Sequence, residues 1–197
     1  MVQQTTFQSG GTVNLAFGAS VKTGDVVTVT CAENFAQSVL SVSGLGTFSV
    51  VAGPGSTGFN PGWAILAGQV TTPGTALTVA GTSGSLNCAA QEWRGLTTTV
   101  DGQNSLVAPA PGSAGISVSV GASTSHDLLL AVLGNNASTL GTPSGAPWNA
   151  LNKNDSNVTA DPIYQLNVGS GTFIANDSWV GNHIGGAAIV ALKAIGD

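Results

Sequence analysis

Apolar and polar residues alternate with period two along most of the chain: Val13, Leu15 and Phe17; Val27, Val29 and Cys31; Ile116, Val118 and Val120; Leu128, Leu130 and Val132. Successive side chains of a strand point to opposite faces, so each run predicts a strand with one face buried and one facing water. Between the runs stand turn signals, "KTGD", "GPGSTG", "TPG", "VDGQN", "APGSAG" and "SGAP", at the spacing an all-β sandwich needs. No helical stripe appears before the last dozen residues, where "AAIVALKAI" alone reads as either a buried helix or a central strand.

The pattern is written twice. "FGASVKTGDVVTVTC" at 17–31 is answered by "VGASTSHDLLLAVLG" at 120–134, with Gly18, Ala19 and Ser20 on Gly121, Ala122 and Ser123. The same alignment sets Val13, Leu15 and Phe17 on Ile116, Val118 and Val120, and a one-residue shift sets Asp25 on Asp127. Further on, "LGTFS" answers "LGTPS", Trp63 in "GWAILAGQV" answers Tyr164 in "PIYQLNVG", and "NCAAQEW" answers "GGAAIVA". The offset runs from 95 (Leu45 to Leu140) to 103 (Gly18 to Gly121), as changes of loop length would produce. The landmarks define pseudo-repeats over about 12–100 and 115–195, and they predict a strand at 187–193 because its counterpart "CAAQEWRG" reads as one.

Each half thus supplies short strands for one sheet, and two facing sheets bury both apolar faces. The expected fold is all-β: a two-sheet antiparallel sandwich, jelly-roll-like, forming a single domain over 12–197. A polar arm at 1–11 precedes it, apolar after Met1 only at Val2 and Phe7.

Charged residues make up only 7% of the chain, far below the roughly 25% of an ordinary soluble domain. Hydrophobic residues make up 42% and the mean hydropathy is positive, which argues for folding rather than disorder. Four basic against nine acidic residues leave a net charge of −5 and no footprint for phosphate backbones or anionic lipid. No nucleic acid and no membrane are therefore expected as partners. The longest apolar stretch, "GGAAIVALKAIG", is too short to span a bilayer, and the opening residues lack the basic and apolar regions of a signal peptide. Cys31 and Cys88 lie in strand-like contexts, where buried free thiols are favoured over a cross-strand disulfide.

Little in the chain suggests catalysis. His126 and His183 are the only histidines, and the neighbours in "SHD" at 125–127 would point to opposite faces of a strand, which works against a triad. Glu33, Glu92, Asp101 and Asp161 could serve as paired carboxylates, but nothing in the sequence brings two of them together. The segment "NKNDSN" lacks the ligand spacing of a calcium loop, and no glycine-rich phosphate loop precedes a helix. Sequons at Asn136, Asn154, Asn157 and Asn176 read as Asn-rich turns. No catalytic residue, metal or cofactor is expected.

Aromatic residues carry the binding candidates. Trp63 reads as core, whereas Trp93, Trp148 and Trp179 have no aromatic echo in the other half and could stack on a sugar or anchor a protein interface. Phe7 would anchor the arm as an added strand on a neighbouring subunit.

The stretches "TGDVVTV", "GWAILAG", "TALTVAG" and "CAAQEWRGL", the Gly/Pro-rich connector "TTTVDGQNSLVAPAPGSAG" and the opening "TSHDLLLAVLG" of the second half resemble phage-encoded β-sandwich virion proteins. These include capsid-decorating and minor tail proteins with jelly-roll or lectin-like sandwiches. The resemblance implies a non-enzymatic structural protein of the virion, made in the host cytoplasm and acting through contacts with other virion proteins. A closed homo-oligomer, a trimer as the working expectation, would suit the scarcity of charge. The alternatives are a carbohydrate-binding or receptor-binding module and, third, a secreted bacterial adhesin domain.

Overall fold

A computed structural model describes residues 1–33, 40–53, 62–81, 86–107, 112–137, 139, 141–155 and 158–196. The turn signals at 54–58 and 110–111, and the sequon at Asn157, lie outside the described residues. Every described element is a strand. The first half holds β1 (Gln3–Gln4), β2 (Gln8–Gly10), β3 (Thr12–Val21), β4 (Val26–Glu33), β5 (Ser41–Ser43), β6 (Gly46–Ala52), β7 (Gly62–Val70), β8 (Gly74–Ala80) and β9 (Leu86–Trp93). The second holds β10 (Leu96–Val107), β11 (Ser113–Ala122), β12 (Asp127–Asn135), β13 (Thr142–Pro143), β14 (Asn149–Ala150), β15 (Asp161–Val168), β16 (Gly171–His183) and β17 (Gly185–Ala194). The chain's end is the strand that the repeat predicts.

The two halves repeat one topology. A larger sheet runs β1/β2-β9-β4-β7-β6 in the first half and β10-β17-β12-β15-β14 in the second. A three-stranded sheet runs β3-β8-β5 in the first half and β11-β16-β13 in the second. With β1 and β2 taken as one interrupted strand, both halves read 1-8-3-6-5 over 2-7-4, the wrapped order of a jelly roll with strand 5 hairpinned onto strand 6.

The sandwich is therefore doubled, four layers deep instead of two. Within the first half, Val13, Leu15 and Phe17 of β3 close a core against Val27, Val29, Leu66 and Ala90 of the larger sheet. Within the second, Ile116, Val118 and Val120 of β11 do the same against Leu129, Leu133 and Ile189. The larger sheets then face each other, Val26, Trp63, Ile65 and Trp93 from one half packing with Leu128, Leu130, Val190 and Leu192 from the other. This arrangement explains the two kinds of strand pattern. Outer strands such as β3 and β11 alternate between buried and exposed, whereas β4, β9 and β12, covered on both faces, are buried throughout.

Four readings of the sequence need correction. Residues 1–11 are no free arm: Gln3 pairs with Glu92 and Gln8 with Cys88, so this segment is the first strand of the first jelly roll. Its counterpart is β10, which pairs with β17 and was expected to be connector, so the halves meet at the turn of Arg94 and Gly95. Cys31 and Cys88 are register partners on β4 and β9 and form a disulfide inside the first half's core. Asn176 lies within β16 and not in a turn.

The aromatic echo also fails in detail. With Asp25 set on Asp127, Ala32 falls on Gly134, and Trp63, paired with Ala32, falls on the residue opposite Gly134, which is Ala160. Tyr164 pairs with Leu130, the counterpart of Thr28, and thus answers Ala67. Both rings reach the same inner core from different registers.

Candidate functional site

The four aromatic candidates fall into two pairs, each inside a core. Phe7 is partly buried against the chain's own inner core, and beside it Thr5 is buried and accepts the Ala90 N–H through Oγ1 at 2.9 Å. The expectation of Phe7 on a neighbouring subunit is replaced by this intramolecular seat. Trp93 is fully buried; its indole N–H donates to Thr28 Oγ1 at 2.7 Å and its ring meets Tyr164 edge-on with centroids 5.3 Å apart. Trp148 and Trp179 pack in the second half's outer core, donating to the carbonyls of Ile174 (3.1 Å) and Ser113 (2.8 Å). None of the three indoles presents an open face on which a sugar could stack.

The acidic residues of the chain are mostly turned inward. Of nine acidic residues, Asp25, Glu33, Glu92, Asp127, Asp161 and Asp177 are buried. Glu92 accepts from the Gln3 amide and the Lys22 backbone N–H, while Asp25 pairs with Arg94 at 3.2 Å, so the turn before β4 is tied to β1 and to the end of β9. The second half solves the same problem with Asp101, which accepts from the backbone N–H and hydroxyl groups of Ser123 and Thr124 and lies 3.4 Å from Lys193 Nζ. The Ser123 hydroxyl and the Thr124 N–H hold its carboxyl well below the usual carboxylate range. In "SHD", His126 takes a left-handed backbone conformation (φ 68°) and Asp127 is buried, with Oδ1 accepting from Thr124 Oγ1 at 3.0 Å. Burial pushes the Asp127 carboxyl up. These acids fasten turns.

One acidic constellation has no such explanation. Asp161 opens β15 opposite Leu133, and Asp177 lies in β16 between Ile116 and Pro143. The alternation that turns Ile163, Ala175 and Trp179 into the outer core of the second half turns both carboxyls there too. The two groups, one from each sheet, lie within hydrogen-bonding reach of each other at 1% and 3% exposure. Asp177 Oδ1 accepts the Ser178 N–H at 2.8 Å, but both Asp161 oxygens and Asp177 Oδ2 make no well-formed hydrogen bond, the Gly141 backbone N–H only steadying the Asp161 anion from nearby. A Cβ on Gly141 would stand 2.2 Å from both Asp177 oxygens, so the absence of a side chain there lets the backbone close over the carboxyl.

Burial pushes both carboxyls up, and for Asp177 the neighbouring Asp161 adds to it, to about 7. Such a pair can retain one proton between its members near neutral pH. Sequence reasoning singled out Asp161 and missed Asp177. The signal was an Asp between Ala175 and Trp179 on the apolar face of an alternating strand, where a carboxyl needs a partner.

Outside, the molecule is nearly devoid of charge. Among the described residues only Lys22, Arg94, Lys153 and Asp155 are both charged and exposed, and none stands on an outer sheet. The six strands of the outer sheets hold a single Asp, Glu, Lys or Arg, the inward-facing Asp177. Their exposed positions include Thr12, Asn14, Ala16, Ser117, Ser119 and Asn176. No protein-family model, curated protein or solved structure matches the chain.

Proposed function

We propose that the protein is a non-enzymatic structural component of a phage virion, of capsid-decoration or minor tail type, which assembles through the flat outer faces of its two jelly rolls. The observation that carries this reading is the absence of exposed charge from both outer sheets. A face of Ser, Thr, Asn and Ala, joined on β16 by the exposed Ile174 and Val180, exerts no long-range repulsion on an identical face. The jelly roll is a recurrent shell-forming fold, which adds an argument by analogy. The disulfide suits a protein that works outside a reducing cytosol, as a released particle does. The particle itself is suggested by the resemblance of the strand and connector sequences.

Assembly through uncharged faces has a signature: it should be insensitive to ionic strength, because there are no charges to screen. Sedimentation of the purified chain at low and high salt should give the same closed oligomer. Ala16→Glu with Ser117→Glu, placing one charge on each outer face, should leave the β circular-dichroism spectrum intact and yield monomers. If that variant still assembles and joins purified particles as the parent does, the outer faces are not the contact surfaces. A saturable change in Trp fluorescence with a glycan panel would instead argue for a carbohydrate-binding module.

A further inference from the structure

We propose that Asp161 and Asp177 form a proton-operated clasp between the two sheets of the second jelly roll: a shared proton holds the sheets together, and its loss loosens this half while the first stays closed. The geometry supplies the argument. The two carboxyls come from different sheets, meet inside a core, and receive one well-formed hydrogen bond between them, from the Ser178 N–H to Asp177. With one proton between them, one carboxyl donates to the other and the contact is a hydrogen bond across the layers. Without it, two anions lie in contact with only the charge of Lys153 to offset them, in surroundings where charge is costly to bury.

The neighbouring elements relieve this only in part, through the Gly141 and Ser178 N–H groups and Lys153. Lys153, from the segment between β14 and β15, favours the anions, and Asp155 from the same segment opposes it at Asp161. The strands β11 and β13 beside Asp177 and β14 beside β15 contain no ionisable residue. On β12 the only one is Asp127, at the opposite end from Leu133; on β16 the other is His183, six residues beyond Asp177; β17 carries Lys193 near its end. The first half has no equivalent clasp. The register that sets Cys31 on Leu133 places Ala64 where the second half has Asp161, so only one jelly roll is sensitised.

The sign follows from linkage. Both carboxyls bind the proton more tightly in the folded chain than in the unfolded one, where a carboxyl titrates near about 4. Stability from the clasp is therefore fully present below that value and is lost as pH rises through about 7, where Asp177 titrates. The test is denaturant unfolding of the full chain across this window, for the parent, Asp177→Asn and Asp161→Asn, in the presence of a chelator. In the parent the folding constant should fall up to about tenfold per pH unit over the window. Either amide variant, which keeps the shape and a donor but cannot share a proton, should flatten that dependence. Hydrogen exchange of the parent, corrected for its intrinsic pH dependence, should show β15 and β16 opening above neutral pH while β3 to β9 stay protected, a readout that does not require the variants to fold. Equal pH dependence in the parent and both variants, or uniform opening of both halves, would overturn the clasp. So would a parent whose pH dependence disappears when calcium replaces the chelator, since the pair would then be a cation site.

Discussion

Trp63 donates its indole N–H to the Thr159 carbonyl at 2.9 Å, and its ring occupies the space in which a Cβ on Gly186 would stand 2.0 Å from Cε3. The ring belongs to the first half and both of its partners to the second, so this one side chain joins the halves by a hydrogen bond and by close packing. Gly186→Ala forces the ring or strand β17 to move, and overpacking of this kind costs about 1–3 kcal/mol. Urea denaturation should show that loss, whereas Gly18→Ala, where nothing lies within 4 Å of the added Cβ, should stay within about 0.5 kcal/mol of the parent. A Gly186→Ala chain as stable as the parent would mean that Trp63 does not fill this gap. That Trp63 is a core residue was read from its echo in Tyr164, and although the residue is core the echo itself is not kept by the register. That Trp93, Trp148 and Trp179 are core as well was not legible, because the partners of their N–H groups, Thr28 and the carbonyls of Ile174 and Ser113, stand 26 or more residues away in the chain.

At the level of strands, the two jelly rolls lock the same pair of neighbouring elements by different chemistry. Cys31 and Cys88 join β4 to β9, while at the equivalent register of β12 and β17 stand Leu133 and Ala187. A cross-link spanning 57 residues removes unfolded-chain entropy equivalent to about 4 kcal/mol in the loop-closure model. The variant Cys31→Leu with Cys88→Ala copies the packing of the second half, so it should fold with the parent's spectrum and lose up to about that amount in a denaturant titration. Its midpoint should not respond to reductant, whereas the parent's should. A reductant-insensitive parent would show that the bond adds nothing to stability. The sequence made most strands legible, because alternation needs only local residues, and the repeat fixed the order of their landmarks. It hid two of them. The segments of β1/β2 and β10 are polar edge strands with a weak apolar stripe, and they are held by backbone pairing and by amide side chains. Gln3 bonds both the N–H and the carbonyl of Ala19 on β3, and Asn104 bonds the Ser119 carbonyl on β11. Such contacts leave no periodicity to read.

For the whole molecule, the consequence of doubling the sandwich is that each half has a core of its own yet a second apolar face that only the other half covers. A fragment ending at Gly95 would keep both sheets of the first jelly roll and its disulfide, but would bare Val26, Trp63, Ile65 and Trp93. Each large side chain returned to water costs about 1.5–3 kcal/mol, so these four together rival the roughly 5–15 kcal/mol that stabilises a typical domain. Trp63 would also lose the Thr159 carbonyl and Trp93 its contact with Tyr164. Residues 1–95 alone should therefore give no folded monomer. The covalent link between the halves is only the turn at Arg94 and Gly95, however, and the inner faces are complementary without it. Mixed with residues 96–197, the fragment should regain the β spectrum of the intact chain as a 1:1 complex by sedimentation and light scattering, with Gly186→Ala in the second fragment weakening the association. A well-dispersed NMR spectrum from a monomer of residues 1–95 would show that the first outer core suffices by itself. Failure of the two fragments to combine would show that the inner faces do not find each other without the connecting turn.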